Sequence, residues 1–132
     1  IRSPLWKGGG TVFGPQPHTY KKLINKKMRQ LARKSILSSK TLDGAIFVVN
    51  KFKFDNPKTS QFNKLVDDLK LRGKRITVLP AVVDENLFLS VRNLKNITII
   101  KVEHASAYDL IDNDVLLFDK AGIVLLNEQL KQ

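Results

Sequence analysis

No cysteine occurs in this chain of 132 residues, so disulfides and thiolate metal sites are excluded. Only two histidines are present, His18 and His104, far apart in sequence. A zinc or non-haem iron site needs more ligands than that pair offers, so no metal and no cofactor is expected. No apolar run approaches the roughly 20 residues that span a bilayer, and no signal peptide is visible. The most informative absence is of negative charge: no Asp or Glu precedes Asp43.

That absence locates the positive charge. The chain carries a formal net charge of +11. Ten of its 23 basic residues fall within residues 1–40: Arg2, Lys7, Lys21, Lys22, Lys26, Lys27, Arg29, Arg33, Lys34 and Lys40. The other 13 face all 12 acids over the remainder, which is nearly neutral. A solvated surface mixes both signs, whereas an acid-free cationic stretch on a neutral domain is the footprint of polyanion binding.

Residues 1–20 contain three prolines and four glycines with no helical or strand periodicity, which predicts an extended arm. Gly8, Gly9 and Gly10 allow close backbone approach to another surface. Trp6, between Arg2 and Lys7, can stack on a base of looped RNA or pack on the protein's own surface. Tyr20 is expected to pack at a helix entry. His18 can contact phosphate or cap a turn.

A helix is expected from near Tyr20 to about Leu37. Its apolar stripe, Ile24, Met28, Leu31, Ala32 and Ser35, is expected to lie on the core. Lys22, Lys26, Arg29 and Arg33 line another side, and Lys27 and Lys34 also turn away from the stripe. Beyond this the pattern alternates. Strands are expected at 45–49, 75–79, 96–102 and 115–118. Helices are expected from Pro57 to a Gly73 cap, after Asp84, after Ser106 and over 121–130. Continuous apolar strands alternating with helices predict an α/β domain over residues 21–132, with a parallel sheet of about four strands covered by helices.

Such sheets host nucleotide sites and enzymes, which makes a nucleotide-binding α/β enzyme a rival reading. Gly9 and Gly14 have the spacing of a phosphate loop, but Pro15-Gln16 stands where Lys-Ser/Thr is required. His104, Ser106 and Asp109 are too local to count as a catalytic triad. No catalytic residue and no small-molecule substrate is expected. A basic membrane-surface module is a second rival. The apolar stripe on the first helix is needed for the sheet, which argues against the membrane.

Residues 4–38, PLWKGGGTVFGPQPHTYKKLINKKMRQLARKSILS, resemble the most characteristic stretch of the uL-four family of large-subunit ribosomal proteins. The matching residues are Pro4, Gly8, Gly9, Gly10, Phe13, Gly14, Pro15, Pro17, Asn25, Lys26, Lys27, Arg29, Leu31, Ala32 and Ser35. Arg92 to Ile97 and Tyr108 to Leu117 are similar to later family segments. The resemblance implies a structural protein of the large subunit, in bacterial cytoplasm or an organelle. Its partners would be large-subunit rRNA and neighbouring ribosomal proteins. Residues 1–20 would be the returning arm of a long loop reaching the peptide exit tunnel, with the loop tip expected before Ile1. His18-Thr19 departs from the family pattern of a basic residue followed by an acid. Outside the family, a non-ribosomal basic RNA-binding module would show the same charge pattern. The RNA-contacting set expected from charge and resemblance together is Arg2, Trp6, Lys7, Gly8, Gly9, Gly10, His18, Lys21, Lys22, Lys26, Lys27, Arg29, Arg33 and Lys34.

Overall fold

A computed structural model describes residues 2–131. Four strands form one sheet: β1 (Ile46–Val49), β2 (Ile76–Leu79), β3 (Ile97–Ile99) and β4 (Val115–Asp119). The order across the sheet is β1-β4-β2-β3 and every pairing is parallel. Five helices connect and flank them: α1 (Lys26–Leu42), α2 (Thr59–Asp68), α3 (Glu85–Val91), α4 (Ala107–Ile111) and α5 (Lys120–Lys131).

Because side chains alternate along a strand, each buried strand feeds two cores. Ile76 and Val78 of β2, with Val115 and Leu117 of β4, meet Phe62 and Val66 of α2 and Leu87 and Val91 of α3. On the opposite face Leu79, Leu116 and Phe118 meet Leu110 of α4, Leu126 of α5, and Ile36 and Leu37 of α1. The molecule is thus three layers, with α2 and α3 on one side of the sheet and α1, α4 and α5 on the other. This is the α/β class expected from the alternating pattern.

The expected elements differ from the observed ones at several ends. The first helix begins at Lys26, not near Tyr20, and residues 2–25 contain neither helix nor strand. Asn25 takes the extended N-cap conformation. A helix begun earlier would place Lys21 and Lys22 against the positive end of its macrodipole, with no apolar contact to offset that. The helix also runs five residues past Leu37. Asp43-Gly44 form its C-terminal cap. Gly44 takes φ +64, Gly44 N–H donates to Thr41 O and Ala45 N–H donates to Lys40 O.

In α2 the C-cap is Leu69, and the left-handed residue that ends the helix is Lys70, not Gly73. Lys70 adopts φ +56, its N–H donates to Asp67 O, and Leu71 N–H donates to Val66 O. Buried Leu71 and Val66 then close the hydrophobic contact that accompanies this cap, and its burial outweighs the cost of a left-handed lysine. The third strand stops at Ile99, because Val102–His104 coil into a 3₁₀ turn closed by His104 N–H to Lys101 O. In the same turn Glu103 accepts a hydrogen bond from Lys101, 2.6 Å away. The ammonium lowers the Glu103 pKa first through that hydrogen bond and then through its charge.

The largest correction concerns which face of α1 packs. Ile24, Met28 and Leu31 are exposed, Met28 by 62% and Leu31 by 68%, and Ala32 and Ser35 are exposed too. The inward positions are Gln30, Arg33, Ile36, Leu37 and Lys40. Lys40 Nζ donates to the carbonyls of Asn113 and Asp114, so its charge satisfies backbone acceptors at the start of β4. Long aliphatic stems let Arg and Lys occupy a packed face while their heads find polar partners.

Candidate nucleic-acid interface

The foundation of the site is α1, whose 17 residues make a rod about 25 Å long. Two turns of helix carry Lys26, Arg29 and Arg33 along one edge. That edge faces the C-terminal half of α5. Lys26, Arg29, Gln30 and Arg33, with Gln129 and Leu130 of α5, line a groove of about 320 Å³. On the other side Arg29 and Arg33 also border a groove of about 470 Å³ with Ile24, Met28, Ala32, Ser106 and Ala107. The two arginines therefore stand on a ridge between two grooves, flanked by polar amides on one side and apolar side chains on the other.

The floor beside the ridge is fixed by α4. Ser106 Oγ accepts from Asp109 N–H at 3.2 Å and Asp109 Oδ2 accepts from Ser106 N–H at 2.9 Å, a reciprocal cap. This cap, with a further hydrogen bond from Ser106 Oγ to Asp109 Oδ2 at 2.6 Å, fixes the start of α4.

The electrostatics are one-sided. Among the described residues the ion pairs are Arg72–Asp67, Arg75–Asp112 and Lys101–Glu103. None involves Arg2, Lys7, Lys21, Lys22, Lys26, Lys27, Arg29, Arg33 or Lys34. Nine cations of the expected set thus have no internal acid partner, and their field points outward.

The structure brings together only part of the expected set. Lys26, Arg29 and Arg33 share the groove. Lys27 and Lys34 are exposed along a different side of α1, and Lys21 and Lys22 are exposed just before it. No hydrogen bond or ion pair among the described residues ties residues 2–20 to the α/β domain. That segment makes only local turns: Trp6 N–H donates to Ser3 O, Gly9 N–H to Trp6 O and Gly10 N–H to Arg2 O. A Cβ at Gly9 would collide with the Ser3 carbonyl, so Gly9 is consumed by the segment's own fold-back, while Gly8 at φ +78 has open space. Trp6 is 76% exposed and does not pack on the protein's own surface. Tyr20, expected to pack at the helix entry, is exposed and instead lies against the His18 ring with centroids 4.5 Å apart. His18 Nδ1 sits 3.2 Å from Gln16 O.

Sequence reading missed Gln30, Gln129 and the structural use of Lys40. Gln129 lies in the last helix, and nothing local to it signals proximity to Arg33; only the layer packing does. The described residues hold no group of three or more His, Asp or Glu placed to bind a metal ion. No helix among them is long and apolar enough to cross a membrane.

The sequence model described as "Ribosomal protein L4/L1 family" matches residues 1–129. The chain is 38% identical over 130 residues to the large ribosomal subunit protein uL4 of Halothermothrix orenii, covering 98% of this chain and 62% of that protein. It is 41% identical over 129 residues to uL4 of Chlorobium phaeovibrioides, with the same coverages of 98% and 62%. Against uL4 of Amoebophilus asiaticus the identity is 38% over 128 residues, 97% of this chain and 61% of that protein. The chain therefore spans about three-fifths of the length of these relatives. Identity sustained over both the cationic segment and the α/β domain is a property of the whole chain, and the chain belongs to the ribosomal protein L4/L1 family.

Proposed function

We propose that the chain is a structural, non-enzymatic component of the large ribosomal subunit that binds large-subunit rRNA. The observation that carries this reading is the set of nine cations in residues 2–34 without an internal acid partner, on a chain whose relatives are named large ribosomal subunit proteins. Each such cation releases a condensed counterion when it meets a phosphate, which favours RNA without reading its sequence.

Residues 1–20 act as an rRNA-contacting arm in this reading, and residues 21–132 as the α/β body. The backbone N–H of Gly8, the exposed Trp6 ring and the cations Arg2 and Lys7 give the arm phosphate and stacking contacts. The ridge of Arg29 and Arg33, with Lys26 beside it, sits astride one RNA strand, and Lys21, Lys22, Lys27, Lys34 and His18 flank it. Specificity comes from the folded shape of the rRNA rather than base edges. The arm continues toward the peptide exit tunnel, neighbouring ribosomal proteins complete the surroundings, and the protein resides in ribosomes of the bacterial cytoplasm or an organelle.

The test is the salt dependence of binding to a large-subunit rRNA transcript. Replacing Lys22, Lys26, Arg29 and Arg33 together by Ala lowers the slope of log K against log salt by about 0.7 to 0.9 per lost phosphate contact, close to 3 in all. An unchanged slope would remove these four residues from the interface.

A further inference from the structure

The carboxyl ends of the strands form a second concave site that the rRNA reading does not use. β4 lies between β1 and β2. The chain leaves β1 and β2 toward the layer of α2 and α3, and leaves β4 toward the layer of α5. Where connections from adjacent parallel strands part to opposite faces, a crevice opens outside the strand ends, and in open α/β sheets ligands sit there. Here that crevice has a volume of about 470 Å³, and Asn50, Lys51, Phe52, Ala81, Asp84 and Asp119 are among the residues that line it.

Its floor is a nearly buried carboxylate. Asp119 is only 8% exposed, and its Oδ1 accepts from Ala81 N–H at 3.0 Å and Gly122 N–H at 2.7 Å. Those two bonds hold the carboxylate rigidly between the end of β2 and the first turn of α5. Its Oδ2 takes no hydrogen bond among the described residues, yet it belongs to a residue that lines the crevice. At the rim Asp84 stands at the N-cap of α3 without capping it, so its carboxylate is also uncommitted. Neither carboxylate has an ion-pair partner among the described residues, in a chain with 23 basic side chains. Beside Asp84 the surface is apolar, with Val82, Val83 and Phe88 exposed.

We infer that this crevice is a docking surface for a basic segment of a protein partner, one Arg or Lys entering to meet Asp119 and Asp84 and apolar neighbours covering Val82, Val83 and Phe88. A guanidinium or ammonium supplies the donors that Oδ2 lacks, and a half-buried charge-assisted pair fixes register as well as adding affinity. A phosphate group is disfavoured at the same place, because the two carboxylates outnumber the one lysine, Lys51, that lines the crevice. The occupant is therefore protein rather than nucleic acid. The site shares no residue with the α1 groove, and it stands or falls independently of the rRNA reading.

The test uses the ¹⁵N-labelled chain titrated with acetyl-Leu-Arg-Val-Arg-Leu-amide, with the Glu-for-Arg peptide as control. Saturable shifts of the Ala81 and Gly122 amides with the basic peptide alone are expected. Asp84→Asn should weaken that binding about two- to fivefold, the range of partly exposed ion pairs, without altering the unbound spectrum elsewhere. Lys51→Ala, which removes the one cation lining the crevice, should tighten it. Asp84→Asn, at the exposed rim, is the deciding variant. The inference is overturned if those amides do not move, if Asp67, Asp68, Asp112 and Asp114 respond as strongly, or if an RNA transcript shifts the same amides.

Discussion

Single residues decide several local outcomes, and they differ in how far sequence exposes them. Ser106 with Asp109 three residues later is a visible cap signature, and the structure makes both bonds. Asp84 also stands where a cap is expected, yet its side chain makes no capping bond, so identity alone did not settle its role. Gly122 gives no warning in the sequence, since a glycine near a helix start is unremarkable. In the fold, a Cβ there would lie 2.9 Å from both Leu79 O and Val102 Cγ2 and would strike Asp119 Oδ1. The close approach of α5 to the sheet depends on that missing methyl. Gly122→Ala is expected to destabilise the chain by about 1 to 3 kcal/mol, the usual cost of overpacking a tight core, despite alanine's better helix propensity. A urea unfolding midpoint equal to that of the unaltered chain would show that the contact is relaxed in solution.

At the scale of elements, strands were far more legible than helix faces. A strand buried on both sides is a continuous apolar run, and Ile76–Leu79 and Val115–Phe118 read that way because they are buried that way. The boundaries slipped where polar residues continue a helix, as at Ser38 and Ser39. The face of α1 was misread for a physical reason. Two stripes run along this helix, and the more regular one, Met28, Leu31, Ala32 and Ser35, is exposed. The packed one interleaves Ile36 and Leu37 with Gln30, Arg33 and Lys40, whose polar heads conceal their buried stems from a hydropathy reading. The two faces separate by mutation of this chain. Leu31→Ser should shift stability by no more than about 0.5 kcal/mol, as surface substitutions do, whereas Leu37→Ser should cost about 2 kcal/mol or more through lost burial. Equal destabilisation by both would mean that α1 is rotated about its axis.

For the molecule as a whole, charge asymmetry was the most informative property and was fully visible in the sequence. Ten basic residues before the first acid pointed to a polyanion partner before any element was assigned. What the sequence could not convey is how those cations are grouped. Only layer packing places Arg29 and Arg33 between a groove to α5 and a groove to α4, and only the strand order opens the acidic crevice at the far ends of β1, β2 and β4. The result is a protein with two chemically opposite surfaces. One is an unpaired cationic surface, the other a small carboxylate-floored crevice.

Incorporation into the large ribosomal subunit underlies the whole functional reading, and sedimentation decides it. The native full-length protein, followed in a lysate through a high-salt sucrose cushion, is predicted to pellet with the large subunit and to stay there at salt concentrations that strip loosely bound basic proteins. Recovery in the soluble top fraction would show that it is not a component of that subunit.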